Sequence, residues 1–168
     1  KPEILNQMNP FMGGGEMIAN VTMEQSTWNK IPWKFEAGTP NIAQVIGLGA
    51  AIDYLNEIGM KNIIKYENEL LQYAQKKLEQ IPGITIYGNS KNKGAIISFN
   101  IDNIHPHDIS HLLDNSDIAI RAGHHCAQPI MDRLNISATN RISLYLYNTK
   151  SEIDKLCTEL NKTYNLFN

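Results

Sequence analysis

The stretch RAGHHCAQPIM, residues 121–131, brings a thiol, two imidazoles and a guanidinium group together in a short segment. It follows the apolar run Ile118-Ala119-Ile120, which we predict to be a strand, and Gly123 can bend the backbone after that strand. We therefore expect Cys126 on a loop just past a strand end, where reactive side chains are often displayed. Cationic neighbours such as Arg121 favour the thiolate form of a cysteine, which is the nucleophilic form. The pattern predicts that Cys126 is a nucleophile.

The composition is that of a globular chain. Its 168 residues are 42% hydrophobic, which is enough apolar material for one or two domains. The formal net charge is -2. A charge so close to zero gives no reason to expect a nucleic-acid or membrane partner, and no apolar run approaches the length of a membrane span. Because two cysteines do not make a disulfide framework, we predict a reducing, cytoplasmic setting.

The first sixty residues predict a hairpin and one long helix. Three glycines at 13–15 lead into residues 16–21, which we predict to be a strand paired with residues 33–36. No Lys-Ser or Lys-Thr pair follows the glycines, as a phosphate-binding loop would require, so a turn is the favoured interpretation. Thr39 and Pro40 suit the N-cap and first residue of a helix that runs towards residue 59. The start of that helix could attract an anion, although most capped helices bind nothing.

The remainder of the chain predicts an α/β fold. The elements run helix, strand, strand, helix, strand, strand, helix, which implies a mixed or antiparallel sheet covered by helices, an α/β sandwich. Residues 1–60 need another surface to bury against, whereas residues 61–168 can form a core of their own. The predicted segments are a helix over 61–81, strands at 84–87 and 95–100, a helix from 105, a turn of helix at 129–134, a strand over 141–147 and a last helix from 148.

Several other side chains invite a chemical interpretation. The histidines at 105, 107 and 111 lack the spacing of a structural zinc site, so we predict exposed or helix-capping roles for them. Arg141, at the first position of its predicted strand, either swings to solvent or offers a planar fork to a carboxylate. Cys157 lies on the apolar face of the last helix and is expected to behave as a small hydrophobic residue.

The loop RAGHHCAQP at 121–129 resembles the cysteine loop of the group II cysteine desulfurases, the sulfur-mobilisation type within the class V aminotransferases. GGGEMI at 13–18, FEAGTPN at 35–41 and RISLYLYN at 141–148 resemble successive landmarks of that family, in the family's order. The resemblance covers nearly the whole chain. It implies the C-terminal part of the pyridoxal-phosphate fold type I, with the end of the large cofactor domain and a dimer-interface segment at 1–60 and the small domain at 61–168.

The resemblance also implies roles for individual residues. Cys126 would take up sulfur as a persulfide, and Arg141 would hold the carboxylate of the substrate, L-cysteine. Gly38 and Thr39 would reach the phosphate of pyridoxal 5'-phosphate in the neighbouring subunit of a homodimer. The glycine-rich hairpin would lie over the partner's active site.

The remaining motif members and the reaction follow from the same likeness. Arg121, His124 and His125 are expected to support the cysteine loop and tune the thiol. Pyridoxal phosphate would act as an electron sink while L-cysteine is converted to L-alanine. The persulfide on Cys126 would then pass to a sulfur-acceptor protein, as the first step of iron–sulfur cluster supply.

One feature departs from the family pattern. The family's Schiff-base lysine lies in a Ser-x-His-Lys context, and no lysine here follows a histidine. The chain also begins without methionine, on a segment that resembles a helix joined in mid-protein. We therefore expect a fragment that lacks that lysine, does not retain the cofactor and has no desulfurase turnover by itself.

Other functions fit parts of the pattern. A selenocysteine lyase has a very similar loop, and a plain class V aminotransferase would not need Cys126. A non-catalytic partner-binding or metal-binding domain could use His124, His125 and Cys126, but adjacent residues rarely point at one ion. A cysteine–histidine hydrolase would need an oxyanion hole and an orienting residue, for which the sequence gives no signal.

Overall fold

The computed structural model describes residues 1–88 and 90–168, which form two compact units, residues 1–57 and 58–168. In the first unit β1 (Ile18–Val21) and β2 (Ser26–Trp28) pair as an antiparallel hairpin. A 3-10 turn, Trp33–Phe35, follows the hairpin. The elements of this unit are α1 (Pro2–Gln7), β1 (Ile18–Val21), β2 (Ser26–Trp28) and α2 (Ile42–Ile58).

The hairpin has a shorter tip than we predicted, and residues 33–36 were the wrong partner for β1. The hydroxyl oxygen of Thr22 accepts hydrogen bonds from the N–H groups of Glu24 and Gln25, at 3.2 and 3.1 Å. Such side-chain contacts close a tight turn, so the chain returns at once and β2 pairs with β1.

Helix α2 begins at Ile42, so the prediction that Thr39 and Pro40 are its N-cap and first residue was wrong. The carbonyl of Asn41 accepts the N–H of Val45 at 2.9 Å, which places the start of the helix there. No side chain of α2 is buried. Leu55 and Ile58 near its end are half-buried, and its other apolar residues are exposed.

The second unit is a four-stranded sheet with helices packed against it. Its strands in chain order are β3 (Ile84–Tyr87), β4 (Ile96–Ile101), β5 (Arg121–Gly123) and β6 (Thr139–Ser143). Their order in the sheet is β3-β4-β6-β5, and each neighbouring pair is antiparallel. The prediction of an α/β fold with a mixed or antiparallel sheet is thus confirmed. The elements are α3 (Met60–Leu78), β3 (Ile84–Tyr87), β4 (Ile96–Ile101), α4 (Pro106–Asp114), β5 (Arg121–Gly123), α5 (Gln128–Leu134), β6 (Thr139–Ser143) and α6 (Lys150–Phe167).

The core lies on one face of this sheet. Along β4, Ile97, Phe99 and Ile101 are buried, whereas Ser98 and Asn100 are only half-buried, which is the alternation of a strand with one apolar face. Helices α3, α4 and α6 contribute buried leucine and isoleucine side chains to the same cluster. The opposite face of the sheet carries polar side chains.

The two strands that flank the cysteine loop differ from the predicted ones. The ladder of β5 begins at Arg121, after the predicted run 118–120. Strand β6 begins at Thr139 and ends at Ser143, because the side chain of Asn148 accepts the N–H of Tyr145 at 2.8 Å and turns the chain. Arg141 is consequently the third residue of its strand, not the first.

Helix α4 is capped by a histidine. His105 precedes the helix, and its Nδ1 accepts the backbone N–H of His107 at 3.3 Å. This confirms a capping role within the histidine cluster. In the chain apart from residue 89, no helix is long and apolar enough to cross a membrane.

Candidate active site

The cysteine lies on a tight turn directly after β5. The N–H of Ala127 donates to the carbonyl of His124 at 3.0 Å, and the two residues between them, His125 and Cys126, have φ angles of 55° and 57°. Two positive φ angles at the central positions are the mark of a type I′ turn, which glycine and asparagine favour. For other residues such angles cost about 1–3 kcal/mol each and persist only where the surroundings hold them.

His125 is the side chain that ties this turn to the sheet. Its Nε2 lies 2.9 Å from the hydroxyl oxygen of Thr139 and 3.1 Å from the carbonyl oxygen of the same residue. Because a carbonyl can only accept, Nε2 carries the proton and donates. The other ring nitrogen, Nδ1, is buried and has no hydrogen-bond partner among the described residues.

Burial lowers the pKa of His125 from its usual 6.5, and the positive charges of Arg141 and Arg121 lower it further. The hydrogen bond to the Thr139 carbonyl acts in the opposite direction but is outweighed. The imidazole is therefore neutral at pH 7, and it acts on the turn through hydrogen bonds instead of through charge.

Cys126 is exposed and has a cation beside it. The Nη2 atom of Arg121 lies 3.9 Å from its Sγ atom. The thiol opens into a concavity of about 500 Å³. Its lining residues are Arg121, Ala122, His124, His125, Cys126, Gln128 and Pro129. An accessible thiol next to a guanidinium group can act as a nucleophile.

Arg141 lies directly opposite Arg121 in the ladder between β6 and β5. Side chains opposed in this way stand on the same face, and like charges there are destabilising. The Nε atom of Arg141 is also buried without a partner among the described residues. A bound anion would satisfy that donor and offset the repulsion, so this pair fits a carboxylate-bearing ligand.

The second cysteine has no part in this chemistry. Cys157, on α6, is 7% exposed, and burial raises its pKa to about 11. It packs with the apolar core, as we predicted.

Gly38 and Thr39 lie in the first unit. Gly38 has a φ of 79°, and its N–H donates to the carbonyl of Gly15 at 2.9 Å. Thr39 is exposed beside it. Both line a concavity of about 320 Å³, together with Glu16, Trp33, Glu36 and Pro40.

The structure thus brings five of the predicted site residues together in the second unit: Arg121, His124, His125, Cys126 and Arg141. Sequence reasoning missed Thr139, because a threonine in a strand is an ordinary residue and nothing in the sequence pairs it with His125. Among residues 1–88 and 90–168 no group of three or more histidine, cysteine, aspartate and glutamate side chains could hold a metal ion.

The antiparallel sheet, its helices and the cysteine turn define an α/β domain with an exposed thiol flanked by arginines. The chain matches the family described as Aminotransferase class-V over residues 1–156. It therefore belongs to the class-V aminotransferase family.

Individual relatives are cysteine desulfurases by name. A probable cysteine desulfurase of Halalkalibacterium halodurans is 53% identical over 163 residues, covering 97% of this chain and 40% of the relative. A cysteine desulfurase of Haloferax volcanii is 48% identical over 168 residues, covering 99% of this chain and 39% of the relative. This chain thus spans about 40% of the length of the curated relatives it matches.

A solved structure shares the fold over the whole chain. The crystal structure of the cysteine desulfurase CsdA (S-sulfonic acid) from Escherichia coli superposes with a TM-score of 0.91 at 35% identity, covering 100% of this chain and 42% of that one.

Proposed function

We propose that this chain is the C-terminal part of a pyridoxal-phosphate-dependent cysteine desulfurase, which takes sulfur from L-cysteine and leaves L-alanine. The observation that carries the proposal is the exposed Cys126 thiol, with the Arg121 guanidinium 3.9 Å away and Arg141 opposite Arg121 on the next strand. The names of the relatives support the same reaction.

The step performed by this chain is sulfur transfer. The Cys126 thiolate attacks the sulfur of L-cysteine, so that a sulfur–sulfur bond forms and the bond from that sulfur to the substrate's Cβ breaks. When bound, pyridoxal phosphate supplies the electron sink for this chemistry. Protonation of the former Cβ gives L-alanine, and the persulfide stays on Cys126.

The two arginines have separate duties in this proposal. Arg141 holds the substrate carboxylate, because its planar fork matches two carboxylate oxygens and its Nε donor has no partner within residues 1–88 and 90–168. Arg121 stays beside the sulfur of Cys126 and stabilises negative charge there, first on the thiolate and then on the persulfide. His124 and His125 complete the wall of the concavity.

The residues expected at the cofactor fit it in part. The exposed Thr39 hydroxyl can donate to a phosphate oxygen, and Gly38 lets the backbone turn there with a φ of 79°. The carboxylates of Glu16 and Glu36 line the same concavity and do not attract an anion. Thr39 would therefore give one contact to the phosphate, and cationic contacts would come from other parts of the enzyme.

The proposal extends to partners. A homodimer, a sulfur-acceptor protein, a role in iron–sulfur cluster assembly and a cytoplasmic location all follow from assigning the chain to this group of desulfurases. The apolar surface of α2 supports burial against further protein, because none of its side chains is buried here.

The test uses the complete enzyme that contains this sequence, loaded with pyridoxal phosphate. C126S should abolish the persulfide and desulfurase turnover while the absorbance of the bound cofactor is unchanged. C157S, which changes the buried cysteine, serves as the matched control and should retain both. Persulfide formation by C126S would refute the proposal, and a strong kinetic preference for selenocysteine over cysteine would favour a selenocysteine lyase.

A further inference from the structure

We propose that Thr139 is a positioning residue for sulfur transfer: it holds the His125 ring and thereby fixes the turn that presents Cys126. This inference rests on the proposed function, because it concerns the geometry of the same thiol. It assigns a role to a residue outside the cysteine motif.

The turn needs an external support. His125 and Cys126 are consecutive non-glycine residues with φ angles of 55° and 57°, a backbone arrangement that relaxes unless it is held. The hydrogen bond of the turn itself joins only backbone atoms of His124 and Ala127. The contacts of His125 with Thr139 join a side chain of the turn to β6.

Thr139 is placed to provide that support. It is 1% exposed and lies opposite Gly123, the last residue of β5 before the turn. It also lies two residues before Arg141, on the same face of β6. Thr139 therefore links the turn that carries Cys126 to β6, the strand that carries Arg141.

The hydroxyl is the part of Thr139 that matters. Any residue at this position would offer its backbone carbonyl, which lies 3.1 Å from Nε2. The threonine hydroxyl adds the shorter contact, at 2.9 Å. Valine has almost the same shape without the hydroxyl, whereas serine keeps the hydroxyl, so the two substitutions separate hydrogen bonding from packing.

The kinetic test compares T139V and T139S in the complete, cofactor-loaded enzyme. We expect T139V to form the Cys126 persulfide about tenfold more slowly in a single turnover, with KM for cysteine changed by less than about twofold, because small displacements of a reacting atom affect the chemical step. T139S, which keeps the hydroxyl, should form the persulfide at the wild-type rate. T163V, which removes the hydroxyl of another buried threonine, on α6, is the matched control and should not change the rate.

A wild-type persulfide rate in T139V would overturn the inference. An equally slow rate in T139V and T139S would overturn it as well, because the hydroxyl would then not be the cause. A second readout needs no activity: the ring nitrogen signals of His125 in NMR spectra of this 168-residue chain. We expect the Nε2–H signal to shift and exchange faster in T139V but not in T139S. Unchanged ring signals in T139V would overturn the inference about Thr139, whatever the activity of the enzyme. A wild-type enzyme that formed no persulfide would refute the proposed function instead.

Discussion

Two neighbouring arginines give the candidate site a concentrated positive charge. Arg121 and Arg141 are direct neighbours across β5 and β6, and Arg141 has a buried donor without a partner in the described part of the chain. A protein selected for stability alone would avoid this arrangement, because like charges repel and buried donors are costly. The carboxylate of the proposed substrate would complete this arrangement.

Replacing Arg141 should therefore affect substrate binding most. We expect R141A, in the complete enzyme, to raise KM for cysteine by about 10- to 100-fold, the effect of losing hydrogen bonds to a charged group. The measurement is steady-state production of alanine over a range of cysteine concentrations. R133A, which changes an exposed arginine on α5, should leave KM as it is. An unchanged KM in R141A would contradict the carboxylate role.

His125 gives the second unit a pH dependence. Burial lowers its pKa below the usual 6.5, so the unfolded chain binds this proton more readily than the folded chain does. The contribution of the neutral imidazole to stability is complete above the unfolded pKa and decreases as the pH falls below that value towards the folded pKa. We expect the free energy of unfolding to decrease between pH 7.5 and pH 5.5, measured by urea denaturation of the chain.

H125Q should reduce this decrease, because glutamine does not titrate. H107Q changes an exposed histidine on α4 and provides the control, in which the decrease should persist. Equal pH dependence in H125Q and the wild-type chain would show that His125 is not the responsible group.

At the scale of elements, periodic segments were predicted well and their ends were not. The apolar stripe of residues 61–81 predicted a helix and the run 95–100 predicted a strand, and the structure confirms both elements as α3 and β4. The end of β6 depends on one side-chain contact, from the Tyr145 N–H to Asn148. The first hydrogen bond of α2 starts from the carbonyl of Asn41, although Thr39 followed by Pro40 predicted an earlier start. Such competition between local contacts is not visible in hydrophobic patterns.

The N-terminus of helix α6 is fixed by side-chain hydrogen bonds. Thr149 and Glu152 form a capping box, in which each side chain accepts the backbone N–H of the other residue. We expect T149A to lower the free energy of unfolding by about 1 kcal/mol, measured by chemical denaturation. T158A removes a threonine from the middle of the same helix and should change stability by less than about 0.5 kcal/mol. An equal loss in both variants would argue against the cap.

In the candidate site, the reactive residues were predicted from the sequence, but the backbone turn and one contact were not. The motif around Cys126 and the position of Arg141 could be identified in the sequence because their residue types are unusual there. The strained turn could not, since neither His125 nor Cys126 is one of the glycine, asparagine or aspartate residues that signal such a turn. Thr139 was missed because its function depends on a contact between residues fourteen positions apart.

At the scale of the whole molecule, the two units differ in how well they bury their apolar residues. The second unit encloses a continuous core of helix and strand side chains. In α2, by contrast, Val45 is 63% exposed and Ile46 is 69% exposed. Contiguous apolar surface of this kind usually marks a site of association.

This chain on its own should therefore associate through α2. We expect sedimentation velocity to show species heavier than a single chain as the protein concentration rises, and V45K/I46K to shift the distribution towards the single chain. N68K/Q72K introduces the same charge on exposed polar positions of α3 and should leave the association unchanged. A single-chain mass at every concentration of the wild-type chain would contradict the expectation.

The position of β5 has a consequence for how sulfur could leave the site. This strand is at the edge of the sheet, is three residues long and pairs only with β6 in the residues described. None of its three residues belongs to the cluster of buried side chains that forms the core. A movement of this edge that carries the proposed Cys126 persulfide outwards would break the ladder contacts of only three residues of β5.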